Sequence, residues 1–141
     1  MNILYADTSA LYALVDSGDR FHGAASAAFR ELSPDKDLLI CSSYVVLETL
    51  ALIQTRIGMR AVRKWKTEFQ PILEIVWVDR QLHEEALTAL VAANKPTISL
   101  TDWTSFLIMR ERGIETAFSF DRHFAQQGFR LMPSRRDAGT G

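Results

Sequence analysis

The stretch ILYADTSAL, residues 3–11, decides how this chain is read. Ile3, Leu4, Tyr5 and Ala6 make an apolar run of strand length, the pattern of a short buried strand. Asp7, Thr8 and Ser9 follow, three side chains able to cap a helix, before a second apolar run over residues 10–15. The junction reads as strand into helix, with a carboxylate at its mouth.

The same alternation recurs along the chain. Asp16 to Asp19 carry turn chemistry, and Asp19 is placed to cap a helix over residues 21–32. Residues 38–41 form a second strand. Ser42 and Ser43 then cap an apolar helix containing Tyr44, Val45, Val46, Leu47, Leu50, Leu52 and Ile53, which Gly58 closes. An amphipathic helix over 59–69 stops at Pro71; residues 72–78 read as a third strand with Trp77 in the core, and 84–93 as a helix. After the break at Lys95 and Pro96, Ser99 or Thr101 caps a helix to about Arg112, Gly113 ends it, and strands are expected around 116–120 and 129–132. Strands alternating with helices across short turns predict the α/β class: a three-layer α/β/α sandwich with a mostly parallel central sheet. One domain is expected over residues 1–133, with a mobile tail over 134–141.

Composition sets the outer limits. A chain of 141 residues with 48% apolar and 23% charged side chains can bury roughly 68–70% of its extended surface without disulfides. The single cysteine, Cys41, reads as a small core residue in a reducing compartment. The first residues lack the basic start and long apolar core of a signal peptide, and no run of about 18 apolar residues occurs. A cytoplasmic protein without membrane association is expected. With a net charge of −1 there is no overall field drawing the chain onto nucleic acid. Arg56, Arg60 and Arg63 recur along one helical face beside Lys64 and Lys66; they read as a solvated face, with RNA contact as the alternative.

Of the 17 acidic residues, four stand where turns and polar faces do not account for them. Asp7 ends the first strand, Glu48 interrupts YVVLETLALI, Asp102 opens TDWTSFLIM, and Asp121 follows AFSF. Alone, the three aspartates could each be a cap or a turn residue, and Glu48 could pair with an arginine. Together they carry a different implication. The loops after parallel strands share one edge of the sheet, where ligands bind, so all four acids can meet there. Four adjacent carboxylates repel one another, and a divalent cation relieves that repulsion. All-oxygen donors select Mg²⁺ or Mn²⁺, and no Cys/His spacing suited to zinc occurs.

The segments DTSALYAL, VVLETLAL and SLTDWTSFLIMRERGIETAFSFDRHF resemble the PIN domain family, and in single-domain form the VapC-type toxins of toxin–antitoxin pairs. The resemblance covers about residues 3–132. It implies that Asp7, Glu48, Asp102 and Asp121 hold Mg²⁺ or Mn²⁺ with help from Thr8 or Ser9, and that the protein is an endoribonuclease using metal-activated water to leave a 5′-phosphate and a 3′-hydroxyl. It further implies an RNA substrate, a small antitoxin partner and a homodimer, for which the helices over 44–57 and 59–69 could supply the surface. The alternative within the family is a catalytically silent scaffold that binds RNA or protein.

The remaining polar and aromatic candidates have plainer readings. His22, in DRFHGAA, braces a loop; His83 and His123 have no role in this chemistry, although His123 lies near the site. Trp103, next to Asp102, is open between packing and a base-stacking surface, and Trp65 is a second stacking candidate. A phosphoryl-accepting receiver domain fits badly, because Asp7 is followed by Thr8 rather than an acid and no lysine follows Lys95.

Overall fold

The opening strand is β1, Asn2–Ala6, and its burial deepens along its length: Asn2 and Ile3 are exposed, Leu4, Tyr5 and Ala6 buried. The computed structural model describes residues 1–134; of the anticipated tail, residues 135–141 lie outside the described residues. From β1 the chain enters α1, Thr8–Val15, and α2, His22–Arg30, then β2, Asp37–Ser42. Next come α3, Ser43–Arg56, α4, Met59–Lys64, a π-helical turn at Trp65–Phe69, a 3-10 turn at Gln70–Ile72 and β3, Leu73–Val76. The second half comprises α5, Arg80–Ala93, α6, Leu100–Arg112, β4, Thr116–Phe118, α7, Arg122–Gln126, and β5, Arg130–Met132.

The five strands form one sheet in the order β3-β2-β1-β4-β5, every neighbouring pair parallel. Parallel pairing forces a crossover after each strand, and the right-handed rule puts α1 to α4 on one face and α5 to α7 on the other. The packing agrees: α1 lies against α2 and α3, and α5 against α6. This is the expected three-layer α/β/α sandwich. The order reverses between β1 and β4, so the connections leaving those two strands part toward opposite faces and open a crevice at their C-terminal ends.

The core gathers where β1 and β4 meet the second-half helices. Tyr5, Phe106, Phe118 and Phe124 are fully buried, and the Phe106 and Phe124 rings meet edge to face with centroids 4.9 Å apart. Burying each such side chain stabilises the fold by about 1.5–3 kcal/mol. Tyr5 also ties the layers together: its hydroxyl lies 2.7 Å from Ser105 Oγ on α6 and accepts from the Ser42 N–H at 3.2 Å. Trp65 is buried and donates to Gln70 Oε1, so it offers no stacking surface. Cys41 is buried, and burial pushes its thiol up to about 12, as an inert core residue requires.

Several boundaries differ from the sequence reading. The third strand stops at Val76, and Trp77, expected in the core, is 71% exposed. β3 is an edge strand paired only with β2, and the chain leaves the sheet at Trp77 toward α5, so nothing covers the ring. The helix expected from residue 84 begins at Arg80 because Asp79 caps it, accepting from the Leu82 N–H. The strand expected over 116–120 ends at Phe118, which leaves Ser119 and Phe120 in a turn ahead of α7, a helix the apolar pattern did not announce.

Candidate metal centre

Asp7 leaves β1 in extended conformation and caps α1. Its carboxylate is almost enclosed, with 4% of the residue exposed, and one oxygen takes all the protein donors. Oδ2 accepts from Ser9 Oγ at 2.8 Å, Ser119 Oγ at 2.9 Å and, more distantly, the Ser9 N–H at 3.4 Å. No described residue donates to Oδ1. Burial pushes Asp7 up from 3.8 to about 7; the charges of Asp102 and Asp121 add to the rise, and the Ser9 and Ser119 hydrogen bonds oppose it.

Asp102 occupies the third position of α6 in a reciprocal cap with Ser99. Its Oδ2 accepts from the Ser99 N–H at 2.9 Å while its own N–H donates to Ser99 Oγ at 3.1 Å. Of the two caps expected there, Ser99 is the one used. Burial raises the Asp102 carboxyl, and the charges of Asp121 and Glu48 raise it further. Asp121 caps α7, accepting from the His123 N–H at 2.9 Å, and its own N–H donates to Ser119 Oγ at 2.9 Å. Glu48 lies half-buried on α3. Among the described residues no arginine or lysine comes within 4.0 Å of it, which removes the salt bridge that would have explained it otherwise.

Ser119 and His123 complete the cluster; the sequence reading does not mark Ser119, and it places His123 near the site without a role. Ser119 is buried and bridges two acids, donating to Asp7 and accepting from Asp121. His123 Nδ1 lies 2.9 Å from Asp121 Oδ1, and ligand atoms of Asp102, Asp121 and His123 all fall within 4.8 Å of one another. The available signal was local: a residue two places beyond a helix-capping acid sits over that acid. Ser9, which donates to Asp7, also accepts from the Phe120 N–H at 2.9 Å. Thr8 is buried, and its Oγ1 bonds to none of the described residues.

The other candidates settle outside the cluster. His22 Nδ1 pairs with the Ala13 carbonyl at 2.7 Å, the brace expected of it, and His83 pairs with the Tyr44 hydroxyl. Trp103 is half-buried and packs edge-on to Phe106 at 5.4 Å. Arg56, Arg60 and Arg63 are exposed, the first lying 5.3 Å from the Tyr12 ring centroid.

The donor set suits a hard divalent cation. Burial raises the carboxyls of Asp7 and Asp102; the charges of Asp102 and Asp121 add to the rise at Asp7, and those of Asp121 and Glu48 to the rise at Asp102. No lysine or arginine neutralises them among the described residues. A cation among carboxylate oxygens removes both the repulsion and the free-energy cost of burying Asp7 ionised. Carboxylates dominate and one imidazole stands by, a mixture open to Mg²⁺ or Mn²⁺.

The family model described as PIN domain matches residues 4–130. The 23S rRNA-specific endonuclease VapC20 of Mycobacterium tuberculosis is 33% identical over 128 residues, 90% of this chain and 95% of that protein. The crystal structure of M. tuberculosis VapC20, described as a sarcin–ricin loop cleaving toxin, superposes with a TM-score of 0.79 at 32% identity, covering 91% of this chain and 96% of that one. VapBC2 from Rickettsia felis, bound to a promoter DNA fragment, gives 0.67 at 15% identity, covering 92% of this chain and 96% of that one. FitAcB from Neisseria gonorrhoeae gives 0.65 at 13%, covering 92% and 95%. These last two establish likeness of fold alone.

Proposed function

The chain belongs to the PIN domain family, and from that premise we propose that it is a toxin-type endoribonuclease in which Asp7, Glu48, Asp102 and Asp121 hold Mg²⁺ or Mn²⁺. The observation that carries the reading is the convergence of acids from the end of β1, α6 and the turn after β4, the first two raised by burial and, beyond that, by their neighbours' charge. When bound, the cation supplies Lewis-acid charge for the phosphate and a lower pKa for attacking water. The protein's part is positioning. Ser9 and Ser119 occupy Asp7 Oδ2 and leave Oδ1 for a ligand, while Ser99 fixes Asp102 and the α7 cap fixes Asp121. Near neutrality the Asp7 carboxyl holds a proton about half the time without a cation, so ligation displaces that proton.

Ribosomal RNA is the substrate class proposed, because the VapC20 relative is a 23S rRNA endonuclease. A small antitoxin and a second copy of the chain are proposed partners. Leu47, Ile57 and Met59, exposed on and between α3 and α4, support an interface there. No helix of the described residues is long and apolar enough to cross a membrane, and a cytoplasmic location is part of the proposal. The test is incubation of 23S rRNA with the purified protein and Mg²⁺ or Mn²⁺, against EDTA and Asp102→Asn, with sequencing of the cut ends. Discrete cuts bearing 5′-phosphates, absent from both controls, are expected. Cleavage that survives both would refute the acidic metal site as its source, and no cleavage by folded, metal-loaded protein would leave the scaffold reading in its place.

A further inference from the structure

Building on the endoribonuclease reading, we propose that Arg20 binds a phosphate of the RNA strand beside the acids, held in place by a pedestal of Phe21 and Phe120. Phe120 belongs to the turn carrying Ser119 and Asp121, and its N–H donates to Ser9 Oγ. Its ring lies flat against Phe21, with centroids 4.4 Å and planes 7° apart. The Arg20 guanidinium carbon stands 4.3 Å from the Phe21 centroid. One face of a phenyl ring cannot take two groups at that distance, so the order is Arg20, Phe21, Phe120, with the guanidinium outermost. Asp19 fixes the turn below, its carboxylate accepting from the Phe21 N–H at 2.9 Å and its carbonyl from the His22 N–H at 3.0 Å.

Arg20 is exposed, and among the described residues no carboxylate comes within 4.0 Å of its guanidinium. An arginine kept only for its charge would find a surface acid or move freely. This one lies against a ring and has no anionic partner among the described residues, although Asp121 directly follows Phe120 in the chain and Ser9, which accepts from the Phe120 N–H, donates to Asp7. Those acids repel the backbone of RNA, and a fixed cation at their edge offsets that repulsion for a strand entering the crevice. The planar fork of N–H donors matches phosphate oxygens bidentately, which the point charge of lysine cannot do.

The test uses the Asp7→Asn protein, so that cleavage does not interfere, and a fluorescein-labelled hairpin carrying the sarcin–ricin loop. Fluorescence anisotropy measures affinity across a salt series. Adding Arg20→Ala is expected to weaken binding about tenfold and to reduce the slope of log affinity against log salt by about 0.7–0.9, the signature of one lost phosphate contact. Arg20→Lys should keep most of the slope and lose part of the affinity. Arg30→Ala, removing an exposed arginine whose Nε donates to the Ser26 carbonyl, should leave both unchanged. The proposal is overturned if Arg20→Ala matches its parent, if affinity falls with no change of slope, if Arg30→Ala has the same effect, or if the parent does not bind. Failure of the nuclease reading looks different: the wild-type protein would leave RNA intact while Arg20-dependent binding persisted.

Discussion

Replacing Asp7 with asparagine should stabilise the metal-free protein while abolishing its activity. The folded protein holds the Asp7 carboxyl at about 7 against an ordinary 3.8, so between those values the native state binds a proton that the unfolded chain has released. Stability contributed by that proton is fully present below about pH 4 and lost as the pH rises to about 7. At pH 8 the ionised, buried carboxylate costs about 4 kcal/mol, of which roughly 2–3 kcal/mol accrues between pH 5 and pH 8. Asparagine removes the charge and keeps the shape: its carbonyl can accept from the Ser9 and Ser119 hydroxyls that now serve Oδ2. Its amide then faces neighbouring carboxylates as a donor instead of a fourth negative charge. The assay is urea unfolding of both proteins in EDTA from pH 5 to pH 8. The variant's advantage should be roughly 1–2 kcal/mol at pH 5 and grow to about 4 kcal/mol at pH 8, while saturating Mn²⁺ should restore the wild type alone. A variant no more stable than wild type at pH 8, or a difference that does not change with pH, would refute the account of Asp7 as an uncompensated buried acid.

Other consequences are open to direct measurement. Mn²⁺ binding followed by calorimetry in buffers of different ionisation enthalpy should release close to one proton near pH 6, fewer at pH 8, and none traceable to position 7 in Asp7→Asn. Ser119→Ala removes a hydrogen bond that lowers the Asp7 carboxyl, so the alkaline rise of activity should move to higher pH, with a loss of about 1–2 kcal/mol in stability. Ser99→Ala breaks the reciprocal cap around Asp102; a cost of about 1 kcal/mol in thermal unfolding and weaker metal binding are expected. Phe106→Ala empties the aromatic core between α6 and α7 and should cost about 3–5 kcal/mol in denaturant unfolding.

The alternation of strands and helices, and with it the layered α/β fold, was legible in the chain before any contact was known, because apolar runs and capping residues are local signals that packing here reinforces. The sequence also marked Asp7, Glu48, Asp102 and Asp121: Glu48 interrupts an apolar helix, and the three aspartates, each with a local capping role, fall at the one sheet edge where parallel-strand loops meet. Tertiary structure alone decided what surrounds them. Ser119 lies more than a hundred residues from Asp7 in the chain, yet it donates to that carboxylate because β1 and β4 are parallel neighbours. His123 joins the cluster through the start of α7, a helix of five residues too short to show an apolar period. Trp77 had the composition of a core residue and lies in solvent, since burial depends on whether another element passes overhead. The stack of Arg20, Phe21 and Phe120 unites two loops whose sequences hold no record of each other. Residue type and spacing encode what each segment forms, while the strand order decides which segments meet, and the chemistry depends on the meeting.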